Sequence, residues 1–164
     1  MEKIKALWSK HKEIILYLFF GVVTTVVSLG ACFLTLKIGV VFLNDGAGNP
    51  SPLLDVIGSS VQWGVGVLVA FITNKLWVFT DAARGAKNTA KQLGKFAGGR
   101  VFTYLLEAVA NLLLIALFDA LGYRTLSLLG FSLTSRVWAK AITAIIVVVT
   151  NYILSKLLVF KKNK

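Results

Sequence analysis

Cysteine and histidine each occur once in these 164 residues, at Cys32 and His11, and acidic residues number only seven. A single thiol can form no internal disulfide. Cys32 lies within an apolar run and reads as a buried structural thiol, because reactive thiols need an electropositive, partly exposed setting. One histidine and one cysteine are too few for the usual protein-built zinc site, so neither metal nor other cofactor is expected. The sequence has no Gly-rich phosphate loop, no nucleophile elbow and no HExxH. Beyond Glu107 it offers no convergent set of acid, base and nucleophile, which argues against an enzyme.

Polar surface is also scarce. Hydrophobic residues make up 57% of the chain and the mean hydropathy is +0.78, too apolar for a soluble domain of this size. Apolar runs longer than about 18 residues mark spanning helices. Four are expected, at about 14–36, 55–80, 95–118 and 137–160, giving an all-α membrane protein with one domain over 1–164. The first run is too long for a signal-peptide core and no cleavage site follows it, so it is expected to be retained. Ahead of it, Ile4, Leu7, Trp8 and Ile15 recur at helical spacing among Lys3, Lys5, Lys10 and Lys12, which predicts a short amphipathic helix on the membrane surface, with His11 interfacial. Residues 44–53 are rich in turn formers and read as a loop. Residues 81–95 are the longest polar stretch, and 120–136 form a mixed connection whose 126–133 portion is apolar enough to lie at the interface.

Eighteen basic residues give a formal net charge of +11. They cluster at the ends of apolar runs rather than along one soluble face, so the expected partner is the lipid bilayer and not nucleic acid. The N-terminal segment, the 81–95 segment and the C-terminus carry four, four and three Lys or Arg, against none in 44–53 and two in 120–136. The positive-inside bias then places both termini and the central segment in the cytoplasm, N-in and C-in across the inner membrane. The chain also repeats itself: Asn74–Phe79 reads NKLWVF and Ser155–Phe160 reads SKLLVF, 81 residues apart. This predicts two repeated two-helix hairpins of the same direction, an arrangement that puts sites between halves.

Candidate site residues follow from polar groups inside the apolar runs. A carboxylate at mid-membrane depth costs about 2.5–3.5 kcal/mol unless it is paired, buried against protein or facing a wet cavity. Glu107 occupies such a position, and Arg100, Thr103, Glu107 and Asn111 share one narrow stripe of the third helix. Arg100 and Glu107 stand about 10 Å apart along the axis, so Glu107 either pairs with a residue on another helix or handles a charged substrate. Lys75 and Lys156 are equivalent by the repeat; they either snorkel to the interface or meet a lipid phosphate there. Asn74 and Asn151 need partners if buried, from a neighbouring helix or from substrate. Trp77, Phe79 and Phe160 fit an interfacial aromatic belt. Lys140, near the outer end of the fourth span, reads as a snorkelling anchor or an outer-leaflet phosphate contact. Small and weakly polar residues, Gly21, Thr24, Thr25, Ser28, Cys32 and Thr35, read as a packing stripe on the first span, and Ser59, Gln62, Gly66, Ala70, Thr73 and Trp77 lie on one side of the second.

Four spans, the Phe19-Phe20-Gly21 entry, the Asn74-Lys75-x-Trp77-Val78-Phe79 exit, the Glu-bearing third helix and the Asn151-Tyr152-x-x-Ser155-Lys156-x-x-Val159-Phe160 exit together resemble the GtrA-like family over nearly the whole chain. The resemblance implies a small membrane protein acting beside a membrane glycosyltransferase in cell-surface polysaccharide synthesis. It further implies that a polyprenyl-phosphate-linked sugar is moved from the cytoplasmic to the outer leaflet, as by a flippase rather than an enzyme. The chain departs from the family pattern at Ser28, where an acidic residue is common, and at Ser155 and Leu158. The residues carried over are Asn74, Lys75, Arg100, Glu107, Asn151 and Lys156, with Asn111 added by the stripe. Basic residues at 75, 100 and 156 would engage the phosphate, and Glu107, Asn111 and Asn151 would line the path of the head group. Glu107 as a proton coupler stays open, as does a non-transporting scaffold that recruits a glycosyltransferase. A small multidrug exporter fits less well, because of the charge asymmetry and the position of the glutamate. Four helices make a thin pathway, so a homo-oligomer is expected.

Overall fold

The computed structural model describes residues 2–83, 85–123, 125–128 and 131–161, with side chains described from His11 onward except those of 126–128 and 131–133. The chain divides into two compact units, one ending at Ala83 and the other at Lys161. Among the described residues, four helices are long and apolar enough to cross a membrane: His11–Gly39, Pro52–Val78, Ala86–Ala120 and Ser135–Val159. The protein is therefore an all-α, multi-pass membrane protein.

In the first unit, α1 runs Glu2–Gly39 without a break. The separate surface helix expected over residues 1–13 is instead the first three turns of the spanning helix. Nothing between Glu2 and Phe20 is glycine or proline, so no residue interrupts the hydrogen-bond ladder. The side chains of Ile4, Leu7 and Trp8 lie outside the described ones. The loop that follows is closed by Asp45, whose carboxylate accepts from the Ala47 and Asn49 amides at 2.9 and 3.0 Å and from Asn49 Nδ2 at 3.1 Å. Gly46 and Gly48 supply the positive φ values, 84° and 85°, that this tight wrap needs. Helix α2, Pro52–Thr73, starts on Ser51, whose hydroxyl accepts from the Leu54 amide at 3.3 Å, with Pro52 in the first turn where its missing N–H is harmless.

The two helices approach through their small residues. A Cβ on Gly39 would collide with the Leu54 side chain, which is only 1% exposed. One on Gly58 would meet Leu36 at 3.0 Å and Cys32 Sγ at 3.4 Å, and one on Gly66 would meet Ser28 Cβ at 3.5 Å. Cys32 and Ser28 thus serve close packing in the apolar interior. Thr25, Ser28 and Thr35 spend their hydroxyl protons on carbonyls of their own helix, three or four residues back.

The second unit begins with α3, Ala86–Ala120, capped by Gly85 at φ 100°. The polar segment expected as a loop to residue 95 is mostly helix, because Ala-Lys-Asn-Thr-Ala-Lys-Gln-Leu contains no breaker and several strong helix formers. The connection after α3 carries a hairpin: β1, Thr125–Leu128, pairs antiparallel with β2, Phe131–Thr134, in the register Thr125 to Thr134 and Leu128 to Phe131. Both strands alternate apolar and hydroxyl residues with period two. Helix α4, Ser135–Leu154, completes the unit.

Both α2 and α4 end in a π-helical turn, at Asn74–Val78 and Ser155–Val159. The Phe79 amide reaches back five residues to the Asn74 carbonyl at 2.7 Å, and the Phe160 amide does the same to Ser155 at 2.8 Å. The two sequence-matched exits share one backbone, and with it one burial pattern. Asn74, Val78 and Phe79 are buried, as are Ser155, Val159 and Phe160. The aromatic-belt reading of Phe79 and Phe160 is thereby corrected. At 6% and 4% exposure they point into the protein, because the widened turn, closed by a bond to the residue five places back, carries each phenylalanine round to the buried face of Asn74 or Ser155. Trp77 stays half exposed and stacks on Phe20 in its own unit, with ring centroids 5.2 Å apart.

Candidate functional site

Five of the seven expected site residues lie in the second unit and two, Asn74 and Lys75, in the first. Within the second unit, α3 presents Arg100, Thr103, Glu107 and Asn111 on successive turns, and α4 packs antiparallel against it. Thr103 is 2% exposed and Asn151 5%. The Thr103 hydroxyl lies 3.0 Å from Asn151 Oδ1 and 3.1 Å from its own-helix carbonyls of Gly99 and Arg100. It has one proton to give and shares it among these acceptors. Asn151 is thus part of the α3–α4 seam, where helix-to-helix hydrogen bonding is worth about 1 kcal/mol in lipid.

One turn further along, Glu107 Oε1 accepts from Lys140 Nζ of α4 at 2.5 Å. Lys140 was expected to snorkel outward or to meet an outer-leaflet phosphate; instead it turns inward. With Thr103 opposite Asn151, the Cα atoms of Glu107 and Lys140 differ in level by about 10 Å at 1.5 Å per residue, so the lysine stem lies along the seam to reach the carboxylate. A carboxylate held in an apolar span gains more from such a cation than the cation gains from an interface. Arg100 does not take that role. Its guanidinium sits 4.9 Å from the centre of the Phe96 ring, one turn back toward the start of α3, a cation–π geometry. Beyond Glu107, Asn111 Oδ1 is buried and accepts no hydrogen bond from the described residues.

Lys75 and Lys156 take the same pose at the two exits. Lys75 Nζ lies 5.8 Å from the Phe71 ring centre and Lys156 Nζ 5.6 Å from that of Tyr152, whose hydroxyl is also 3.2 Å away. In each the ring precedes the lysine by four residues, directly beneath it on the helix. Lys156 is exposed and Lys75 half-buried, while Asn74 is 3% exposed.

Sequence reasoning named neither Lys140 as the partner of Glu107 nor Lys95. Lys95 Nζ donates to the Leu158 carbonyl at 3.4 Å and stands at the rim of an open groove of about 480 Å³. Gly98, Gly99, Phe102, Leu154, Leu158 and Val159 make up the rest of that groove. The signal for it was the glycine pair just past a lysine at the start of a span.

The GtrA/DPMS transmembrane domain family matches residues 16–160 of this sequence. The chain belongs to that family. Relatives include the cell wall teichoic acid glycosylation protein GtcA of Listeria monocytogenes, 32% identical over 108 residues, which are 66% of this chain and 65% of the relative. The GtcA protein of Listeria innocua matches to the same extent. The match thus spans just under two thirds of the length of these curated relatives. An uncharacterized membrane protein of Bacillus subtilis, YwcD, is 29% identical over 150 residues, covering 91% of this chain and 97% of the relative. No solved structure matches. Three of the four spans, all but the first turn or so of the first, and both exit motifs fall within the GtrA/DPMS match.

Proposed function

We propose that this protein carries a polyprenyl-phosphate-linked sugar across the inner membrane for the glycosylation of a cell-surface polymer, with both termini in the cytoplasm. The observation that carries the reading is the polar line on α3, where Thr103, Glu107 and Asn111 run through an otherwise apolar span and Asn111 Oδ1 has no donor among the described residues. A spanning helix keeps such groups when something polar passes or rests beside them. GtrA/DPMS membership and the teichoic acid glycosylation named for GtcA support a role in decorating cell-wall polymers.

In this reading, Arg100 and Lys156 of the second unit hold the phosphate and Lys75 offers the matching cation at the exit of the first, each ammonium or guanidinium presented from an aromatic ring at a basic end of a span. Glu107, Asn111 and Asn151 line the path of the sugar, and Lys140 holds the glutamate charge in place. The matched π-helical exits support two parallel hairpins derived from one repeat, and a homo-oligomer supplies the wider pathway that four helices lack.

The test is leaflet transfer in proteoliposomes, read as exposure of a polyprenyl-phosphate-linked sugar to a membrane-impermeant oxidant. Wild type should speed transfer over protein-free vesicles, and Glu107→Gln should slow it. Wild type that transfers nothing, yet co-purifies with a membrane glycosyltransferase, would replace this reading with that of a non-transporting accessory subunit.

A further inference from the structure

We infer that the groove between α3 and the end of α4 seats the isoprenoid chain of a lipid phosphate, with Lys95 at its rim as a further contact for the phosphate assigned above to Arg100 and Lys156. The inference rests on the transport reading above and adds a location for the lipid tail, away from the polar line.

The groove is built for a chain with one charged end. Its wall is carbon, from Phe102, Leu154, Leu158 and Val159, and its bed is Gly98 and Gly99, where no side chain fills the space. A Cβ on Gly98 would have nothing within 4 Å, and one on Gly99 would only touch Leu154 at 3.8 Å. The volume, about 480 Å³, lies within the range of roughly 300–1,000 Å³ typical of small-molecule sites.

Charge sits at one end only. Lys95 spends one N–H on the Leu158 carbonyl, a group at the end of a helix where carbonyls lack in-helix partners, and this fixes the ammonium at the rim with two N–H left to give. The helical start of α3 continues the pattern. Lys87, Lys91 and Lys95 recur every fourth residue, all exposed, and form one basic stripe that leads to the groove. A phosphate entering along that stripe meets Lys95 last, and the chain behind it lies down over the glycines. One rim cation and one channel fit a single-chain isoprenoid phosphate, whereas a two-chain phospholipid would leave its second chain outside.

The experiment uses the full chain in nanodiscs and a polyprenyl phosphate carrying a diazirine on its first isoprene units. Crosslinked peptides are mapped by mass spectrometry, in parallel with the leaflet-transfer assay. The expected result is labelling of Phe102 and of the Leu154–Val159 segment. Gly98→Leu should abolish that labelling, since the new side chain fills the groove without striking the fold. Lys95→Gln should weaken probe affinity about fivefold, the worth of one lysine near a membrane surface. Excess phosphatidylglycerol should leave the labelling in place.

Displacement by phosphatidylglycerol as readily as by unlabelled polyprenyl phosphate would reduce the groove to a seat for ordinary annular lipid. Labelling elsewhere, unchanged by Gly98→Leu, would overturn the groove while leaving transport standing. Groove labelling by a wild type that transfers nothing would instead overturn transport and keep the groove. No labelling above an empty nanodisc would overturn the groove outright.

Discussion

Lys140 reaches inward along the α3–α4 seam to Glu107, bringing an ammonium from near the start of α4 to a carboxylate in the middle of α3. The pair is asymmetric, with the Lys140 side chain 65% exposed and that of Glu107 25%. Removing the lysine strands a carboxylate in an apolar span, whereas removing the carboxylate lets the lysine return to the interface. Lys140→Met should therefore destabilise the protein by about 2–3 kcal/mol, and Glu107→Gln by about 1 kcal/mol or less. The double variant should regain most of that stability and still fail to speed sugar transfer. Steric-trap or denaturant unfolding in bicelles measures the first effect, and the vesicle assay the second. Equal losses from both single variants would show that the pair is held by geometry rather than by the cost of the stranded charge.

Gly39 and Leu54 set how closely α1 and α2 meet. Gly39→Val should cost about 1–3 kcal/mol through overpacking against Leu54. Adding Leu54→Ala to the same chain should recover part of the loss by opening space for the valine. The pair of unfolding curves checks it, and additive losses would place the strain elsewhere.

Asp45 predicts a pH response in the loop between these helices. The Asn49 side chain first, then the Asn49 and Ala47 amides, hold its carboxyl below the ordinary carboxylate value of 3.8. A carboxylate with a lowered folded value contributes order that is fully present above 3.8 and lost as pH falls below it toward the lowered value. Amide hydrogen exchange at Ala47 and Asn49, corrected for intrinsic rates, should rise as pH drops below that point. Asp45→Ala should exchange fast at every pH.

The four spans were legible because length and composition alone make a membrane helix. The start of α3 was not, since Lys87, Asn88 and Gln92 read as polar loop although nothing among them stops a helix. The β1–β2 hairpin is written in the alternation of residues 125–134, but its apolar half looks equally like a surface-lying segment. At the candidate site, the stripe Arg100, Thr103, Glu107 and Asn111 was readable from periodicity. Which of two cations Glu107 takes was not, because the choice depends on a lysine 33 residues away stretching against its usual direction. Phe79 and Phe160 were placed at the interface by a straight-helix count that one added residue per turn invalidates. That addition leaves no composition signal, only the recurrence of the motif itself.

The π-helical exits contain neither proline nor glycine, so nothing covalent or steric forces their shape. An extra residue in a turn is a rotation without a bend. It winds the chain back by roughly 100°, so that the lysine and the two residues after it keep an outward bearing while the closing phenylalanine swings in. Length at these two places therefore encodes direction. Deleting one residue between Lys75 and Phe79, or between Lys156 and Phe160, would change no chemical group of consequence and yet turn the ring out and the cation aside. Substitution scans that keep the count of residues fixed leave that property untouched.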